Sequence, residues 1–94
     1  MVRVTEEAAV ALQELLTENN APPDAGVRLT STAAGNIGMV IDSPQEGDEV
    51  HRRDEAPVLI VGGDLSRKMI NMEVDFESAG SNGQSPGHFV LRSN

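Results

Sequence analysis

Apolar side chains recur along this chain with two different periods, and the change from one to the other falls at Pro22-Pro23. Before it, Ala8, Leu12, Leu15 and Leu16 stand at i, i+4, i+7 and i+8, the spacing that lines one face of an α-helix. Gln13, Glu14, Thr17 and Glu18 fall mostly off that face. Thr5 is placed to cap the helix, its hydroxyl accepting from a free N–H of the first turn. Glu6 and Glu7 put negative charge at the positive end of the helix dipole. Asn19-Asn20 close the C-terminal end, and Pro22-Pro23 forbid continuation. Ahead of the helix, Val2-Arg3-Val4 alternates and predicts a short edge strand.

From Gly26 onward the period is two. Val27, Leu29 and Ser31 alternate with Arg28, Thr30 and Thr32, which predicts a half-buried strand. The small residues around Gly35-Asn36-Ile37-Gly38 interrupt it, because two glycines three apart let the backbone turn without a Cβ penalty. Met39-Val40-Ile41 predicts another short strand, and the segment from Asp42 to Glu49, broken by Pro44 and Gly47, a turn. Val50 to Arg53 extends a strand that Pro57 breaks. The continuous run Val58-Leu59-Ile60-Val61 is short and β-branched, so it predicts a buried strand, ended by Gly62-Gly63. Asp64 caps one helical turn, Leu65 to Ile70, with Leu65 and Met69 on one side. Met72, Val74 and Phe76 alternate with Glu73, Asp75 and Glu77, a strand with one buried face. Ser78 to Gly87 predicts a polar loop, and His88-Phe89-Val90-Leu91 a last strand. One long helix followed by short strands predicts a mainly β, sandwich- or barrel-like domain. Its length, 94 residues, suits a single domain over 1–94.

Composition narrows the chemistry. Phe76 and Phe89 are the only aromatics, so the core must be aliphatic, with Met39, Met69 and Met72 filling gaps. A net charge of −8 argues against nucleic acid and anionic membranes as partners, since both demand clustered cations. It fits solubility, or attraction to a basic partner. With no cysteine, disulfides, thiolate metal sites and cysteine nucleophiles are excluded. No signal-like stretch and no apolar run long enough to span a bilayer is visible, so a cytoplasmic protein is expected.

The order of these pieces resembles the HesB/IscA-like family, the A-type iron–sulfur carriers. The likeness is carried by Val4-Thr5-Glu6-Glu7-Ala8-Ala9 with Leu12, Leu15 and Leu16, by Gly26-Val27-Arg28-Leu29, and by Gly35-Asn36-Ile37-Gly38. It continues through Ile41 to Val50, Val58 to Val61, Leu65-Ser66, Val74-Asp75-Phe76 and His88 to Leu91. The resemblance implies a compact β-sandwich with the N-terminal helix packed against it. In the carriers three cysteines hold iron or a cluster. One sits in the glycine loop, where this chain has Asn36, and two lie in a Cys-Gly-Cys tail, before which this sequence stops at Asn94. An Asn amide is a weak, neutral oxygen ligand and cannot replace a soft thiolate. Fold therefore carries over from the resemblance; cluster carriage by the usual ligands does not.

The remaining candidates are thin. Asn36, flanked by Gly35 and Gly38, either binds a small polar ligand or simply serves a tight turn, and the turn is favoured. His51 and His88 have no ligand-type neighbour at a metal-binding spacing, and His88 reads as an ordinary strand-end residue. Asp42, Glu46, Asp48 and Glu49 lack the ligand pattern of a calcium loop and read as a solvated turn. Glu73, Asp75 and Glu77 read as an exposed sheet face rather than a docking stripe. There is no nucleophile elbow, phosphate loop or dinucleotide fingerprint. The expectation is a non-enzymatic module without cofactor or metal, whose partner is another protein or further copies of itself. Its role is accessory or regulatory, linked to iron–sulfur assembly. The alternative is a module for a small ligand or divalent metal that reuses the loop from Gly35 to Gly38, with His88 nearby.

Overall fold

The computed structural model describes residues 2–31, 37–77 and 87–93. Helix α1 runs Glu6–Glu18 and starts where its cap dictates: the Thr5 hydroxyl accepts from the Ala8 N–H at 3.1 Å. The same hydroxyl donates to Asp75 at 2.7 Å, so one side chain both starts the helix and ties it to a strand 70 residues on. At the other end Asn20 takes a positive φ of 54°, and the Ala21 N–H returns to the Leu16 carbonyl at 2.9 Å, satisfying an orphan acceptor. Ala8, Leu12 and Leu16 are buried, as the periodicity requires.

Among the described residues seven strands form two sheets. β2 (Gly26–Ser31), β3 (Ile37–Asp42), β4 (Glu49–Arg53) and β5 (Ala56–Val61) make a four-stranded sheet in the order β3-β2-β5-β4. β1 (Arg3–Val4), β6 (Met72–Glu77) and β7 (His88–Ser93) make a three-stranded sheet in the order β1-β6-β7. β2 pairs parallel with β5, and β1 with β6; the other pairs are antiparallel. One core joins the sheets and the helix: Leu12 and Leu16 of α1 meet Val27, Leu29, Leu59 and Val61 of one sheet and Val74 of the other. Val58 to Val61 are at most 1% exposed, which is why an unbroken apolar run is tolerated there. The mainly β architecture with one long N-terminal helix expected from the sequence is what the chain adopts.

Four local expectations are corrected. Pro57 does not end β4; it lies inside β5, opposite Arg52, where the pairing slips at a bulge and the missing N–H is tolerated. β4 ends instead in a two-residue turn, Asp54-Glu55, with both φ values positive at 53° and 71°. The short helix α2 spans Gly63–Lys68, so Gly62 stands at its cap, and Asp64 sits in the first turn paired to Arg67. Gly38 belongs to β3 rather than to a turn, opposite Thr30, whose hydroxyl would lie only 2.9 Å from a Cβ there. Met39 is 38% exposed, because β3 is an edge strand; Met69 fills the core and Met72 packs at its margin.

Candidate functional site

Of the acids after β3, Asp48 and Glu49 turn inward, whereas Glu46 is solvated as expected and Asp42 is part exposed. Arg28 of β2 donates from Nε to Asp42 at 2.8 Å and from Nη1 and Nη2 to the two Asp48 oxygens at 3.1 and 2.7 Å. Its Nη2 also reaches the Ser43 carbonyl at 3.2 Å. The Asp48 side chain is 7% exposed. The Arg28 bonds outweigh burial, with help from the Gln45 N–H, and hold the Asp48 carboxyl below its ordinary range. Asp42 is lowered by the Ser43 N–H and then by Arg28. A guanidinium so fully engaged pins the turn to the sheet and is not offered to a ligand.

Glu49, at the start of β4, collects a second group. Its carboxylate accepts from the Ser66 hydroxyl at 2.5 Å and the Val2 N–H at 3.0 Å, and faces the His51 Nε2. Burial pushes this carboxyl up, but the donors from Ser66 and His51 outweigh it and leave it lowered. The Ser66 hydroxyl is spent on the carboxylate, not on the imidazole, so Ser66 and His51 are not a nucleophile and its base. The group clamps β1, β4 and α2 together.

Gly35 and Asn36 lie outside the described residues. Gly38 and His88, the other two positions singled out from the sequence, fall on different sheets: Gly38 in β3, His88 at the start of β7. The imidazole of His88 is solvent-facing and meets Glu77 across the β6–β7 ladder at 3.2 Å. Asp75 and Glu77 of the acidic stripe on β6 are answered by Arg92, at 3.0 and 3.2 Å. Among the described residues no three of His, Asp or Glu gather where a metal ion could be held.

What the sequence reading missed is apolar. Ile37, Met39, Val40 and Ile41 are between 37% and 48% exposed along edge strand β3. A cleft of about 320 Å³ separates β3 from β7, walled by Leu29, Ile37, Met39, Val74, Phe89 and Leu91. The signal was present: a strand written Ile-Gly-Met-Val-Ile has no polar face to turn to water. No helix among the described residues is long and apolar enough to cross a membrane.

Known structures share this architecture. Escherichia coli SufA, involved in biosynthesis of iron–sulfur clusters, superposes with a TM-score of 0.66 and 28% identity, over 98% of this chain and 84% of SufA. IscA with a [2Fe–2S] cluster gives 0.65 at 14% identity, over 99% of this chain and 85% of that one. A protein from Aquifex aeolicus, solved by solution NMR, gives 0.63 at 20% identity, over 99% and 91%. No protein-family model and no curated protein matches the sequence. The chain thus has the HesB/IscA-like fold, in a divergent form. Its 94 residues contain no cysteine, so the donor set does not fit a sulfide-bridged cluster.

Proposed function

We propose that this protein is a non-enzymatic HesB/IscA-like module that acts through protein contacts, in the cytoplasm, as an accessory or regulator of iron–sulfur cluster assembly. One combination carries this: a SufA-like fold at 28% identity over 98% of the chain, without a single thiolate in it. The ion pairs around Arg28 and Glu49 support it too, since they fasten the fold together instead of forming a reaction centre.

The test is anaerobic purification followed by visible spectroscopy and iron and sulfide analysis. Colourless protein with iron and sulfide far below stoichiometric amounts is expected; stoichiometric cluster overturns the proposal. Calorimetric titration with divalent ions, on the parent and on Asn36→Ala and His88→Ala, addresses the loop from Gly35 to Gly38. Absence of heat is expected. Heat that either substitution abolishes favours the ligand-binding alternative.

A further inference from the structure

The two polar flanks of α1 are treated differently. On one flank Arg53 donates to Glu6 at 2.9 Å and to Gln13 at 2.7 Å. On the other stand Glu7, Glu14 and Glu18, at i, i+7 and i+11, all exposed, and among the described residues no cation meets them. The helix contains no Lys or Arg. Glu14 and Glu18 repel each other one turn apart, and Glu18 sits in the last turn, where the dipole disfavours an anion. For its own stability the helix has a use for Glu7, in its first turn, but none for Glu14 and Glu18.

Beside the row runs an apolar groove. Two adjoining hollows, of about 310 and 330 Å³, share Ala11, Glu14 and Phe76 and so form one trough between α1 and the end of the β6–β7 pair. Its floor is Val10, Ala11 and Leu15 on the helix side and Phe76 and Phe89 opposite. The two rings stack edge to face, with centroids 4.9 Å apart. Gly87, at φ 97°, lies so close that a Cβ would stand 2.6 Å from the Phe76 ring, so the aromatic wall is fixed in place.

An apolar floor with a rim of one sign selects its occupant by charge. A second copy of this chain, at −8, brings mostly like charge to that rim. The chain's own segment 78–86 has neither a cation nor a large apolar side chain to offer. We infer that the trough between α1 and Phe76–Phe89 docks a basic amphipathic helix of a partner protein, its apolar stripe on the two rings and its cations on Glu7, Glu14 and Glu18. The rim spans 12 residues of helix, eleven rises or about 16 Å, which about three turns of a partner helix would match. This rests on the proposal that the protein works through protein contacts, and adds the surface and the chemistry of the partner.

The probe is a synthetic amphipathic peptide with Leu and Phe on one stripe and Lys at i, i+7 and i+11, titrated into the full chain by fluorescence anisotropy. Saturable binding is expected, with amide shifts by NMR at Ala11, Leu15, Phe76 and Phe89. Glu14→Lys/Glu18→Lys, exposed and free of packing roles, is expected to keep the parent's circular dichroism and weaken binding about tenfold or more. A peptide with Glu in place of Lys should then prefer the variant. Binding that the variant leaves unchanged, shifts confined to β3, or no binding at all overturns the inference. So does a dimer of the parent, seen by sedimentation, that the variant abolishes, since the trough would then hold a second copy. These failures are distinct from those of the functional proposal, which falls on finding stoichiometric cluster or a metal titration that the loop substitutions abolish.

Discussion

At the scale of single residues, the decisive ones are polar. Asp48 looks like one acid among several in a hydrophilic turn, yet its side chain is nearly buried and takes two hydrogen bonds from Arg28. Asp48→Ala would leave a mostly buried guanidinium with half its partners, and we expect a loss of about 2 kcal/mol in urea denaturation. A loss no larger than that of an exposed substitution such as Glu46→Ala would contradict the pairing. The sequence concealed this because Arg28 and Asp48 are 20 residues apart and meet only through the β2–β3 ladder. Thr5 was legible for the opposite reason: a cap acts on the N–H three residues later, and local chemistry leaves a local signature. Of the loop positions singled out, Gly38 proved to lie in β3 opposite Thr30, a cross-strand neighbour that no sequence window shows.

Elements were legible wherever a periodic face met the core. Ala8, Leu12 and Leu16 of α1, the run Val58 to Val61, and Val74 of β6 are all buried as their spacing implied. Spacing failed at β3, where apolar residues announce a strand without saying that it lies at an edge; that depends on the order β3-β2-β5-β4, which is a property of the sheet. It failed also at the β4–β5 hairpin, because Asp54-Glu55 is an unusual pair for a turn with two positive φ values. A β-carbon at Glu55 is disfavoured at φ 71°, so Glu55→Gly should raise stability by roughly 0.5–1 kcal/mol. Thermal or urea unfolding measures this, and a destabilised variant would show the turn to be relaxed as it stands.

For the molecule as a whole, carboxylates set the dependence on pH. Glu49, Asp42, Asp48 and Asp75 are all held below their ordinary values, near 4.5 for glutamate and 3.8 for aspartate. For Asp75 the Thr5 hydroxyl does most, then the Phe76 N–H. In the unfolded chain these groups take up protons in their ordinary range, whereas in the folded chain they do so only in stronger acid. The unfolded state therefore holds more protons across that window, and stability falls as pH falls through it. Urea midpoints should be level from neutrality down to about pH 5 and drop below it, with a shallower drop in Asp48→Ala. A flat profile to pH 3 would show that the paired carboxylates contribute nothing.

The bond from Thr5 to Asp75 has a consequence for how this protein is made. Helix α1 leaves the ribosome well before β6, the strand that pairs with its neighbour β1 and bonds its capping residue from 70 residues further on. At about 5–20 residues per second that is a wait of roughly 4–14 s. Until β5 is made Ala8, Leu12 and Leu16 have no finished sheet to lie against, and until β6 is made they have only one of the two. Newly synthesised chains should therefore be most vulnerable to proteases and most in need of chaperones before β6 emerges, and β1 with the first turn of α1 should be among the last parts to become protected.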